Sequence, residues 1–133
     1  MSGNNAVRLV VTAAVIERGG SYLVTRRPEG VHLAGLWEFP GGKVDADESL
    51  AACLAREIRE ELGCGIDVHG EVLSVSHTYA ERAVELHFFD CTLKGEPMAL
   101  LGQELRWVPR AELRSLDFPP ADHELIELLS ADR

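Results

Sequence analysis

Between Gly42 and Cys64 the sequence reads GKVDADESLAACLAREIREELGC, and Glu57, Glu60 and Glu61 lie within little more than one helical turn of each other. Helical positions three and four apart share one face. Ser49 supplies an N-cap for a helix running to about Leu62, and Gly63 supplies its stop. Leu50, Cys53, Leu54, Ile58 and Leu62 form the apolar side, with the glutamates in a stripe beside it. Like charges at this spacing repel and destabilise a bare helix. A hard divalent cation turns the repulsion into coordination, because Mg²⁺ takes carboxylate oxygens, water and phosphate oxygens together. The stripe therefore points to metal-assisted chemistry on a helix that needs a folded support.

The rest of the chain supplies that support as strands. Arg8 to Glu17 is dominated by Val, Ala and Ile and reads as a buried strand. Arg18-Gly19-Gly20 is a turn into a second strand, Ser21 to Arg27, giving a hairpin. Pro28 to Gly42 reads as one long loop carrying Trp37 and Phe39, and loops of that length are usually functional. Val72 to Tyr79, Ala83 to Leu93 and Glu104 to Val108 read as three more strands. Pro109 to Leu113 suggests a short helix and Ala121 to Leu129 a terminal one. Periodicity alone gives an α+β class. With no repeat, low-complexity tract or linker, residues 1–133 are expected to form a single domain.

Composition closes off other classes. A 46% hydrophobic and 26% charged chain is that of a globular protein, and no apolar run approaches the ~20 residues of a membrane span. The N-terminal MSGNNAVRLVV lacks a basic stretch followed by an apolar one, so a cytoplasmic location is the expectation. Cys53, Cys64 and Cys91 are widely spaced and odd in number, which fits buried inert thiols rather than a zinc site or disulfides. A net charge of −9 disfavours a grip on nucleic acid. It does not disfavour a polyphosphate, because a bound cation reverses the local sign. Much of that charge sits in Asp45, Asp47, Glu48, Glu57, Glu60 and Glu61.

Gly42, Glu48, Arg56, Glu57, Ile58, Glu60, Glu61 and Gly63 fit the pattern G-x5-E-x7-R-E-U-x-E-E-x-G-U, with U a bulky apolar residue. This resembles the Nudix box of hydrolases acting on nucleoside diphosphate-linked substrates. Cys64 fills the last apolar position, where an aliphatic residue is more usual. The resemblance implies the Nudix fold, an α/β/α sandwich with a mixed sheet. It implies a Mg²⁺ cofactor, with Mn²⁺ as a substitute, held by Glu57, Glu60, Glu61 and the backbone carbonyl of Gly41. Arg56 joins the catalytic set mainly by orienting it, through a pair with Glu48 that ties the preceding loop to the helix, and Gly42 orients likewise.

Two further stretches resemble the MutT-like branch of that family: LVTRRPEGVHLAGLWEFPGGK, Leu23 to Lys43, and FPPAD, Phe118 to Asp122. Carried across by position, Arg27 meets substrate phosphate, His32 borders the nucleotide, and Glu38, Phe39 and Pro40 line its pocket, while Trp37 reads as packing. Asp122 departs from the branch, which has Asn there. An Asn amide donates and accepts, an ionised Asp only accepts, and a protonated Asp in an apolar pocket mimics Asn. Capping of the last helix is the alternative role for Asp122. A late ligand glutamate of the branch is replaced by Leu101, so either Glu104 substitutes or one metal fewer is held.

The expected reaction is Mg²⁺-dependent hydrolysis of a nucleoside triphosphate to monophosphate and pyrophosphate, on modified or oxidised nucleotides such as 8-oxo-dGTP or on cytidine nucleotides. The rivals are a nucleotide sugar or dinucleotide polyphosphate substrate, and a catalytically silent nucleotide-binding domain. The expected partner is the nucleotide alone, without nucleic acid or membrane, for a monomer or weak homodimer.

Overall fold

The computed structural model describes residues 7–28, 35–79 and 82–131. Its first strand, β1 (Val7–Arg18), turns at Gly19-Gly20 into β2 (Ser21–Arg26). Both glycines have positive φ, 58° and 85°, the geometry of a two-residue hairpin whose twist matches its strands. The two strands stay paired for only two residue pairs, Arg18 with Ser21 and Glu17 with Tyr22. They then diverge. β1 runs parallel to β6 (Arg82–Leu93), which pairs antiparallel with β5 (Ile66–Tyr79). β2 runs antiparallel to β7 (Glu104–Pro109) along its whole length.

The segment 37–43 fills the split. Its first part, β3 (Trp37–Glu38), pairs with β2, and its second, β4 (Gly41–Lys43), pairs with β1. Between them Pro40 accepts a 2.8 Å bond from the Ala14 amide. The stretch expected as one loop is thus partly a wedge that joins two halves of a mixed sheet. Phe39 anchors it, stacked on Phe118 at 5.5 Å and edge-on to Phe88 at 6.1 Å. Gly41 permits it: a Cβ there would lie 2.0 Å from the backbone oxygen of Thr12.

Helices cover both faces, giving the α/β/α layering. One face packs α1 (Leu50–Leu62) through Leu54, Ile58 and Leu62 against Ala14, Ile16, Leu23 and Cys91. Ser49 Oγ caps α1 by accepting from the Ala52 amide at 3.1 Å, and Gly63 ends it at φ 71°. The other face carries Val15, Tyr22, Val24, Phe88 and Val108 under α2 (His123–Ser130), a 3₁₀ turn at Arg110–Ser115 and another at Pro120–Asp122. The expected short helix is therefore 3₁₀, and the terminal helix starts with a 3₁₀ turn after two prolines that supply no amide donors. β5 starts at Ile66, six residues before the expected Val72, because register shifts on either side of Glu71 absorb the Gly70 region as a bulge. Among the described residues no helix is long and apolar enough to cross a membrane.

If the wedge depends on backbone-to-backbone approach at Gly41, Gly41→Ala should cost more than a surface change, at least about 1–3 kcal/mol from overpacking. Urea denaturation of the two proteins measures it. An unchanged midpoint would mean that the wedge does not need the missing side chain.

Candidate active site

The end of α1 nearer Gly63 lies under the wedge. A Cβ on Gly42 would lie 2.2 Å from Glu57 Cδ, so the glycine leaves room for that carboxylate against the backbone. Glu61, one turn on, lies beside Glu57. Its carboxyl is pushed up to about 8, chiefly by burial, then by the neighbouring Glu57 carboxyl and the charge of Glu38, while the Gly41 amide pulls it back. Crowding against a neighbouring carboxylate in a half-buried site disfavours a second charge, so Glu61 favours a proton. An all-oxygen donor set of this kind suits a hard cation in place of that proton. Glu60 stands apart, its side chain 58% exposed and turned to Arg56. Among the described residues no three acidic, His or Cys side chains already form a metal cage.

Arg56 organises the other end. It forks onto Glu48, Nε to Oε2 at 2.7 Å and Nη2 to Oε1 at 3.0 Å, and Nη2 also donates to the Lys43 carbonyl at 3.1 Å. Nη1 donates to Glu57 at 3.0 Å and to Glu60 at 3.3 Å. Glu48 accepts in addition from the Asp45 amide at 2.9 Å. The Arg56 bonds, then the Asp45 amide, hold the Glu48 carboxyl down to about 2, and Arg56 is correspondingly raised. One guanidinium thus joins the loop after the wedge, the start of α1 and the carboxylate stripe.

Two residues that support the loop were not singled out as site residues. Thr12 is fully buried and its hydroxyl lies 3.5 Å from the Gly42 carbonyl and 3.3 Å from Cys53 Sγ. Cys53 donates to the Lys43 carbonyl at 3.3 Å, with its thiol pushed up mainly by burial. A lone hydroxyl inside the apolar run VVTAAV was the available signal for Thr12. All three cysteines are free, Cys53 and Cys91 buried and Cys64 half-buried.

Beside the wedge, Arg27 Nε donates to both oxygens of Glu38 at 3.1 and 3.3 Å. The charge of Glu38 is felt in two directions, at Glu61 and at Asp122. Asp122 is 6% exposed and makes no capping bond, although it occupies the N-cap position of α2. The capping role therefore does not hold. Burial first, and Glu38 second, push its carboxyl up to about 7. Phe39 and Pro40 are buried, Phe39 in the core already described. Trp37 packs, as expected, at 4% exposure. His32 lies outside the described residues.

Glu104 is not at this site. Register pairs Thr25 with Glu38 and Leu105 on the α1 face, but Arg26 with Trp37 and Glu104 on the α2 face. Its carboxylate bonds to Arg26 and Arg106. Leu101 is 62% exposed in a turn that closes α1 instead, where Leu100 and Gln103 donate to the Glu61 carbonyl. A cavity lined by Tyr22, Asp90, Arg110 and Leu129 shares no residue with the carboxylates.

A family model described as the NUDIX domain matches residues 11–128. The CTP pyrophosphohydrolase of Escherichia coli is 40% identical over 124 residues, covering 92% of each chain. The 8-oxo-dGTP diphosphatase of Haemophilus influenzae is 36% identical over 126 residues, again covering 92% of each. Among solved structures, the ORF135 protein of E. coli superimposes with a TM-score of 0.83 at 38% identity, covering 98% of this chain and 92% of that one.

The raised carboxyls fix a pH response. Glu61 has an ordinary value of 4.5 and a folded one of about 8, so between these the folded chain binds more protons than the unfolded one. Stability without metal should therefore fall as pH rises from about 5 to about 8. Asp122 adds a fall of the same sign up to about 7. So does His87, pushed down by burial but raised overall by its bonds to Glu71 and Glu85. Only the Glu61 part should be reversed by a divalent cation. Melting midpoints at pH 5.5 and 8, in chelator and in Mg²⁺, should show metal stabilisation growing with pH in the wild type and mostly lost in Glu61→Gln. Equal Mg²⁺ effects at both pH values would remove Glu61 from the metal site.

Proposed function

The chain belongs to the Nudix hydrolase family, and from that premise we propose a Mg²⁺-dependent nucleoside triphosphate pyrophosphohydrolase, NTP + H₂O → NMP + PPi, that acts on the nucleotide pool. The observation that carries this reading is the convergence of Glu57 and Glu61 beneath the glycine pair, with the Arg27–Glu38 pair and the buried carboxyl of Asp122 alongside. Nudix hydrolases generally need a divalent metal. Here Glu57, Glu60, Glu61 and the Gly41 carbonyl would hold it. When bound, it supplies charge neutralisation on the phosphates and acidifies water.

The chain's own residues do the remaining work. Arg56 and Glu48 fix the stripe against the loop, so the carboxylates need no reorganisation as charge develops. One carboxylate at the convergence takes the proton of the attacking water. Arg27, on the rim at 38% exposure, is placed to meet phosphate, with Glu38 fixing the direction of its guanidinium. Losing one stripe carboxylate should remove on the order of 3–5 kcal/mol of transition-state stabilisation, so Glu57→Gln or Glu61→Gln should lower kcat by roughly 10²–10⁴ with the fold intact. Near-wild-type turnover of both variants in saturating Mg²⁺ would refute the assignment. Phosphorus NMR should find nucleoside monophosphate and pyrophosphate as first products, and initial orthophosphate would contradict the reaction. No turnover of any triphosphate would favour the rivals, a nucleotide sugar, a dinucleotide polyphosphate or simple binding.

Base choice rests on Asp122. Relatives named for 8-oxo-dGTP and for CTP bracket the candidates. Because burial holds this carboxyl near pH 7, it changes character within the working range. Protonated, it donates and accepts as an Asn does; ionised, it only accepts and favours an exocyclic amine such as that of cytosine or adenine. The ratio of kcat/KM for 8-oxo-dGTP over dCTP should therefore rise as pH falls from 8.5 to 6, by up to the roughly 5–150-fold of one base hydrogen-bond pair. Asp122→Asn should hold the ratio high and flatten it. A flat wild-type profile, or a mutant ratio that tracks it, would take Asp122 out of the base site.

A further inference from the structure

Glu38 reaches the site from a slight support. β3 is two residues long and pairs with β2 alone, at Thr25 and Arg26. Beyond the sheet, its amide at Trp37 donates to the Asp117 carbonyl at 2.8 Å. On the face opposite Glu38, two guanidinium groups lie on the Trp37 indole, Arg26 at 5.0 Å and Arg106 at 4.8 Å from the ring centre. Glu104 bonds to both of them, through Oε1 to Arg26 and through Oε2 to Arg106 at 3.5 Å. The group spans β2, β3 and β7, closing a clamp over the only aromatic ring of the stub.

We propose that Arg106 and Glu104 are positioning residues for nucleotide binding: acting through Trp37, they hold β3 in place and so fix Glu38 against Arg27. This rests on the reading of Glu38 and Arg27 as nucleotide contacts. The clamp lies on the α2 face and touches none of the stripe carboxylates. Glu57 and Glu60 are held separately by Arg56, which also bonds to Glu48 and to the Lys43 carbonyl. Loosening β3 therefore falls first on Glu38 and its Arg27 partner, while the Arg56 ties of Glu57 and Glu60 stay in place. A displacement of about 1 Å in a positioning group is enough to change kinetics strongly.

The chain contains its own control. Arg18 lies 4.6 Å over Trp107 and pairs with Glu96 at 3.4 Å, the same kind of contact at the hairpin turn, on a strand end that carries no nucleotide contact. Steady-state kinetics on the triphosphate that the wild type turns over fastest should compare Arg106→Ala, Arg106→Lys, Glu104→Ala, Arg18→Ala and Glu38→Gln. Arg106→Ala and Glu104→Ala should raise KM about fivefold or more with kcat within about twofold, the pattern of lost uniform binding. Arg106→Lys, which keeps a cation on the ring, should recover most of the loss, and Arg18→Ala should match the wild type. If Arg106→Ala and Arg18→Ala move KM equally, or if kcat falls instead of KM, the clamp does not position the site. If Glu38→Gln itself leaves KM unchanged, the nucleotide-contact reading fails, whereas a raised KM in Glu38→Gln with none in Arg106→Ala overturns the clamp alone.

Discussion

Everything at this site depends on two missing side chains. At Gly41 a Cβ would strike the backbone of β1, and at Gly42 it would strike the carboxylate of Glu57. Neither glycine is needed for a positive φ; both are needed for proximity. The first contact draws the wedge into the split between β1 and β2. The second lets the loop backbone rest on the acidic stripe of α1. The sheet opening, the loop and the helix are therefore positioned by these two close approaches, and a side chain at either place separates them.

The same closeness creates an electrostatic problem, which one residue contains. Glu48, Glu57 and Glu60 all bond to Arg56, so most of the local acidity is balanced by one guanidinium. Among the described residues no cation pairs with Glu61, which is raised first by burial and then by Glu57 and Glu38. An acidic chain of net charge −9 thus keeps a defined deficit of positive charge at one point. Such a deficit is what a divalent cation, arriving with a polyphosphate, neutralises.

The helix was legible in the sequence because its signals are local. Ser49, Gly63 and the spacing of Leu54, Ile58 and Leu62 act within a few residues, and the observed bounds agree with them. The hairpin and β6 and β7 were legible for the same reason. The wedge was not, since two- and three-residue strands have no periodicity, and their partners β2 and β1 lie far off in the chain. The bulge of β5 hid its first residues behind Gly70. At the site, the stripe and its Arg56–Glu48 tie were readable from spacing and family pattern. The supports of the loop, Thr12 and Cys53, were hidden because a buried hydroxyl and thiol announce burial rather than partners. Glu104 failed as a ligand for a geometric reason: strand alternation puts it on the face opposite Glu38.

Glu38 also explains why Asp122 and Glu61 cannot be considered separately. Its charge raises both carboxyls. Arg27 moderates that charge by holding both oxygens of Glu38 from the rim. Only Nε is spent on that pairing, so the fork keeps other N–H donors while Glu38 fixes its direction. Asp122 keeps its proton toward neutral pH for the same two reasons as Glu61, burial first and the charge of Glu38 beside it.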